Sequence, residues 1–158
     1  MKRILLIATG GTIACKQTAS GLAPQLGAKE LLSYVRDRAE NVESIELFRM
    51  DSSNVQPEEW RAIAQAVADN MHNADGIVIT HGTDTMAYTS SMLSFMLRGI
   101  KIPVVLTGAQ YPMGMDGSDA AANLGDALTA ARELSGGVYI AFGGSVILGC
   151  RAVKTRTM

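Results

Sequence analysis

Short apolar runs alternate along this chain with longer segments in which apolar residues recur every three or four positions. Ile4 to Ala8, Gly76 to Thr80, Pro103 to Thr107 and Gly137 to Phe142 read as buried strands. Val42 to Met50 alternates apolar and polar residues and predicts a further strand. Helical spacing covers Ala28 to Arg38, with Leu31, Leu32 and Val35 on one face, and Met86 to Leu97. Pro57, at a favoured early helical position, opens a helix that buries Trp60, Ile63, Ala64 and Val67 and ends near Asn73. Ser118 and Asp119 read as the start of a last helix, running to Leu134. Gly143-Gly144 and Val146 to Cys150 predict a short hairpin. Lys16 to Gly27 is aperiodic and reads as a loop, either a mobile lid or a plain surface connection. Strands that alternate with helices predict an α/β fold: an open, mainly parallel sheet with helices on both faces, doubly wound in three layers.

Three predicted strands end in polar turns. In an open α/β sheet such turns lie at the carboxyl ends of strands, where ligands bind. Thr9-Gly10-Gly11-Thr12 follows the first strand, and its glycines let the backbone turn sharply beside the Thr12 hydroxyl. His81-Gly82-Thr83-Asp84-Thr85 follows the third, with Thr83 and Asp84 near a helix N-terminus whose N–H groups are unpaired. Taken alone, Thr83 and Asp84 read equally as N-caps; the second glycine-rich turn favours function. Asp51-Ser52-Ser53-Asn54 is the third turn. A hydroxyl, a nearby proton acceptor and exposed N–H groups are what nucleophilic catalysis requires.

Composition narrows the alternatives. The chain has 158 residues, 47% hydrophobic and 18% charged, which fits one folded domain rather than a disordered segment. A formal net charge of -1 without a basic block speaks against a nucleic-acid or anionic-membrane partner. No apolar stretch reaches the roughly 20 residues of a membrane helix, and Ile4 to Ala8 after Lys2-Arg3 reads as a first strand rather than as a signal peptide. Cys15 and Cys150 read as reduced thiols of a cytoplasmic protein. Phosphate-binding, dinucleotide and zinc-ligand patterns are missing. His81 reads as a hydrogen-bonded structural histidine of a strand-end turn. A threonine nucleophile needs a base, and a lysine can serve only where its surroundings place its pKa suitably. Lys154, just beyond the glycine-rich hairpin, is the best placed lysine, though a solvated tail residue fits that position too.

Thr9-Gly10-Gly11-Thr12-Ile13-Ala14 together with His81-Gly82-Thr83-Asp84-Thr85-Met86 resembles the bacterial-type L-asparaginase family, cytoplasmic rather than periplasmic in type. Met50 to Asn54, Thr107 to Gln110 and Gly149 to Lys154 match further family segments in the same order. The resemblance runs the whole chain and implies that residues 1–158 are the family's N-terminal catalytic domain. It implies hydrolysis of L-asparagine, or of L-glutamine, to the acid and ammonia without metal or organic cofactor. It makes Thr12 the nucleophile of an acyl-enzyme and Thr83, Asp84 and Lys154 the second catalytic group. It assigns Asp51, Ser52 and Ser53 to the substrate's α-amino and α-carboxylate groups, with Asp84 also facing the ammonium. It further implies a homodimer or homotetramer.

Two departures accompany the match. The lid stretch Gly21-Leu22-Ala23-Pro24 has no tyrosine where many relatives carry one. Relatives are also longer, with a smaller C-terminal domain that completes the site of a neighbouring subunit. The expectation attached to Met158 is therefore a truncated chain with an incomplete ammonium pocket, either an active amidohydrolase or a non-catalytic amino-acid-binding fragment.

Overall fold

The computed structural model describes residues 1–156. Thr157 and Met158, to which the truncation reading is attached, lie outside the described residues. Among the described residues, eight strands and four helices follow in order: β1 (Ile4–Gly10), β2 (Cys15–Thr18), β3 (Gly21–Pro24), α1 (Ala28–Ser33), β4 (Val42–Met50), α2 (Pro57–Asn70), β5 (Gly76–Thr80), α3 (Met86–Met96), β6 (Pro103–Thr107), α4 (Ala120–Glu133), β7 (Gly137–Phe142) and β8 (Ser145–Leu148). Short 3-10 turns lie at Thr12–Ala14, Ser52–Asn54 and Gly149–Arg151.

The main sheet has the order β4-β1-β5-β6-β7-β8. All its pairings are parallel except β7 with β8. The central strands β1, β5 and β6 are buried along their whole length, which is why they read as unbroken apolar runs. Residues of one face alternate with those of the other, and two cores result. On one side α1 and α4 bring Leu31, Leu124 and Leu128, and the turns after α1 bring Val35, against Leu6, Val78 and Val105. On the other, α2 and α3 bring Ile63, Val67 and Leu93 against Ile7, Ile79 and Leu106. At about 1.5–3 kcal/mol for each fully buried large aliphatic side chain, these layers dominate the stabilisation. Among the described residues, no helix is long and apolar enough to cross a membrane.

The helix placement gives the connections their hands. The β5–α3–β6 and β6–α4–β7 units step the same way across the sheet, yet α3 and α4 cover opposite faces. The α4 crossover is therefore opposite in hand to the other three, against the strong preference for a single hand.

Three expectations need correction. Lys16 to Gly27 is not an irregular loop, because β2 and β3 pair as an antiparallel hairpin with Cys15 opposite Pro24 and Thr18 opposite Gly21. Its turn is closed by Thr18, whose hydroxyl donates to the Gly21 carbonyl at 2.6 Å and accepts from the Ser20 amide at 3.3 Å. Helix α1 stops at Ser33 rather than Arg38. From Tyr34 the backbone tightens to i→i+3 bonds, Tyr34 to Leu31, Val35 to Leu32 and Arg38 to Val35, so Val35 stays buried as its spacing predicts while the α-helix has ended. Helix α2 likewise ends at Asn70, short of Asn73.

Candidate active site

The strand order places a crevice where the topology switches. From the end of β1 the chain leaves toward α1 on one face, and from the end of the adjacent β5 toward α3 on the other. Ligands of open α/β sheets bind in such crevices. The register keeps the two strand ends level, with Ala8 beside Thr80. Gly11 has φ +79°, and a Cβ on it would lie 2.5 Å from the Gly82 amide nitrogen. Gly82 in turn abuts the Ser52 side chain. The first two turns thus pack backbone against backbone, with the Ser52 side chain filling the space over Gly82, an approach open only to glycine at these positions.

Above this floor lies a cleft of about 230 Å³ lined by Thr12, Asp51, Ser52, Thr83, Asp84, Gln110 and Lys154, with Leu22 and Pro24 from the hairpin. Thr12 opens the 3-10 turn after β1, its side chain half-buried. The Lys154 ammonium donates to Asp84 Oδ1 at 2.6 Å and to Thr83 Oγ1 at 3.2 Å. Lys154 is reached through β8 and the Gly149–Arg151 turn, which Ser90 ties to α3 by donating to the Gly149 carbonyl at 2.8 Å. The Asp84 carboxylate stays 60% exposed and open to a ligand cation. The carbonyl of buried Ser52 accepts from the Thr85 hydroxyl at 2.8 Å, joining the Asp51–Asn54 turn to the start of α3.

Thr12, Thr83, Asp84, Lys154, Asp51 and Ser52 therefore share one cleft. Ser53 does not line it: its amide and hydroxyl both turn to Asp51 Oδ1, at 2.9 and 3.0 Å. Two lining residues had no role in the sequence reading. Gln110 lies in the loop after β6, and its place at a strand end was the available signal. Cys15 stands beside Thr12, but burial, and then the nearby Asp51 charge, push its thiol pKa up. That keeps it protonated and poorly nucleophilic.

His81 is 1% exposed and both ring nitrogens are engaged. Nδ1–H donates to the Gly82 carbonyl at 2.8 Å, and Nε2 accepts from the Thr89 hydroxyl at 3.0 Å. Thr89 itself accepts from Trp60 Nε1 at 2.9 Å. Burial lowers the histidine pKa, partly offset by the Gly82 bond. A neutral imidazole in this tautomer satisfies every partner, which agrees with a structural histidine.

Residues 3–158 match the family model described as "Asparaginase, N-terminal". The chain belongs to the asparaginase family. It is 45% identical over 159 residues to the L-asparaginase of Thermococcus kodakarensis, covering 99% of this chain and 48% of that protein. The solved structure of that thermostable enzyme superposes with a TM-score of 0.86 over 93% of this chain and 46% of its own, at 46% identity. L-asparaginase I of Vibrio cholerae O1 biovar eltor superposes with a TM-score of 0.87 at 36% identity, over 99% of this chain and 49% of its own. A glutamyl-tRNA(Gln) amidotransferase component of Methanococcus vannielii is 36% identical over 151 residues, which is 92% of this chain and 35% of that protein. The asparaginase-family chain thus spans about half the length of the L-asparaginases it matches and about a third of the amidotransferase component.

Proposed function

We propose that this chain is the nucleophile-bearing part of an amidohydrolase that converts L-asparagine to L-aspartate and ammonia through a threonyl acyl-enzyme. The carrying observation is the cleft in which Lys154 bridges Thr83 and Asp84 while Thr12 opens on the same space. The substrate is a zwitterion with an uncharged amide. Asp84 and Asp51 supply anions for its ammonium, and the Ser52 hydroxyl and turn amides supply donors for its carboxylate. Thr12 Oγ attacks the side-chain amide carbon, forming a C–O bond and passing its proton toward the departing nitrogen. The C–N bond breaks and ammonia leaves, giving a β-aspartyl ester on Thr12. Water then attacks the ester carbon, the C–O bond breaks, and the Thr12 hydroxyl recovers its proton. Lys154, held by Asp84, relays protons through the Thr83 hydroxyl.

Mass spectrometry of an acid-quenched turnover mixture tests this reading. The acyl group is expected on the tryptic peptide Ile4–Lys16, which contains Thr12. An acyl group on the peptide holding Thr83 instead would overturn the assignment of the nucleophile.

A further inference from the structure

Behind the cleft, at the start of α4, lies a polar pair that the reaction does not touch. Asn123 is 2% exposed within the apolar layer of α4, where a polar side chain is costly unless fully bonded. Its bonds are spread over separate segments. Nδ2 donates to the Gly108 carbonyl at 2.9 Å and to Asp119 Oδ2 at 3.0 Å, and Oδ1 accepts from the Gly143 amide at 3.0 Å. Asp119, one turn earlier, makes no capping bond to its own helix. Its carboxylate accepts from the Gln110 amide at 3.0 Å on both oxygens and from the Tyr111 amide at 3.1 Å. The orientation of the Asn123 amide is fixed by these partners, since a flipped amide would set donor against donor at Gly143 and oxygen against oxygen at Gly108 and Asp119.

The two side chains thereby join the loop after β6 to the turn between β7 and β8. Both segments lead to the cleft. Gly108 packs on the His81 carbonyl, and a Cβ there would stand 3.5 Å from the Thr83 methyl. Gln110, two residues on, lines the cleft itself. From Gly143 the chain runs through β8 and the Gly149–Arg151 turn to Lys154. One amide group therefore holds both the wall behind Thr83 and the start of the strand that delivers Lys154.

We infer that Asp119 and Asn123 are positioning residues that set the register at which Lys154 meets Thr83 and Asp84. The inference rests on the amidohydrolase reading for its effect on turnover, but the backbone arrangement it describes is measurable without turnover. The pair is nearly isosteric under exchange of acid and amide, which supplies the test. Asn123→Asp sets two carboxylates face to face, and Asp119→Asn sets two amides face to face. The double variant D119N/N123D restores one donor and one acceptor within the pair, and gives up the donor to Gly108 and the second of the two carboxylate oxygens that accept from the Gln110 amide.

Three variants and the parent are compared by NMR amide exchange and by ammonia release from L-asparagine, with folding followed by circular dichroism. In N123D the Gln110 and Tyr111 amides should exchange at least about tenfold faster, since each lost protection of about 1.4 kcal/mol is a factor of ten. In each single variant kcat should fall by about a hundredfold, the cost of a misplaced catalytic group, with KM shifted far less because Asp51 and Ser52 sit on another turn. The double variant should recover most of both losses, a non-additivity expected only of partners in contact. Unchanged exchange at Gln110 and Tyr111 in N123D overturns the inference whatever the activity. So do single variants that match an active parent, or a folded double variant as slow as the worse single one. A parent without ammonia release removes the amidohydrolase reading, and the exchange measurement then still decides the clamp.

Discussion

Lys154→Met separates catalysis from stability at the centre of the site. Methionine keeps an unbranched apolar stem of similar reach and deletes the ammonium that donates to Asp84 Oδ1 at 2.6 Å and Thr83 Oγ1 at 3.2 Å. The lysine side chain is 22% exposed but its carboxylate partner is 60% exposed. Solvent therefore screens the pair, and its contribution to folding should be that of a surface ion pair, about 0–1 kcal/mol. The abandoned Asp84 carboxylate remains hydrated, so no buried charge is stranded. Turnover should suffer far more, because the proposed mechanism makes the same ammonium the proton relay: a loss of about 10²–10⁴-fold in kcat is the usual value of a positioned acid–base group. Urea unfolding followed by circular dichroism and ammonia release on the same preparations read the two quantities. A variant losing more than about 3 kcal/mol would show that the pair holds the fold, as a buried pair does. A variant turning over within tenfold of the parent would remove Lys154 from the relay.

Other substitutions test the architecture. Gly82→Ala thrusts a Cβ into the Ser52 side chain; displacing that turn should cost about 1–3 kcal/mol as overpacking does and impair turnover, and a variant with parental melting and activity would refute the packed-turn geometry. Leu128→Ala empties a fully buried position under the sheet and should cost about 2–5 kcal/mol in urea unfolding; a loss below about 1 kcal/mol would contradict the core assignment. His81 carries a pKa lowered by burial, so the unfolded chain binds a proton that the folded one refuses. Stability from this group is fully present above the ordinary histidine pKa of about 6.5 and falls as the pH drops below it, by at most about 1.4 kcal/mol per pH unit. Glu30 and Glu46 are lowered carboxylates, held down first by side-chain bonds from Lys16 and Arg49, and act only at more acidic pH. Unfolding free energies between about pH 5.5 and 7 should show a slope that His81→Gln abolishes; an equal slope in both proteins would refute it.

The pattern of the chain reveals the sheet better than it reveals the lid. β1, β5 and β6 are buried on both faces and announce themselves as apolar runs, and β4, an edge strand, shows its alternation. The hairpin Cys15–Thr18 with Gly21–Pro24 escapes because four-residue strands offer only two side chains per face, too few for a period to show. Helix α1 is overextended because Leu31, Leu32 and Val35 keep helical spacing through turns that are no longer α. At the site, strand-end position and turn chemistry single out Thr12, Thr83 and Asp84. The partners of Lys154 are invisible to spacing, because its contacts bridge 70 and 71 residues of sequence, and only the family resemblance groups it with Thr83 and Asp84. Ser53 falls outside the cleft lining because residue type cannot say which way a turn hydroxyl points, and here it donates to Asp51. Asp119 reads as a helix-start residue and occupies that position, but it spends its carboxylate on Gln110 and Tyr111.

The most direct measurement is ammonia release from L-asparagine by the purified 158-residue chain beside its Thr12→Ala variant, both shown to be folded. The account predicts release by the parent and none above background by the variant. Silence from the folded parent, or equal release from both proteins, would contradict it.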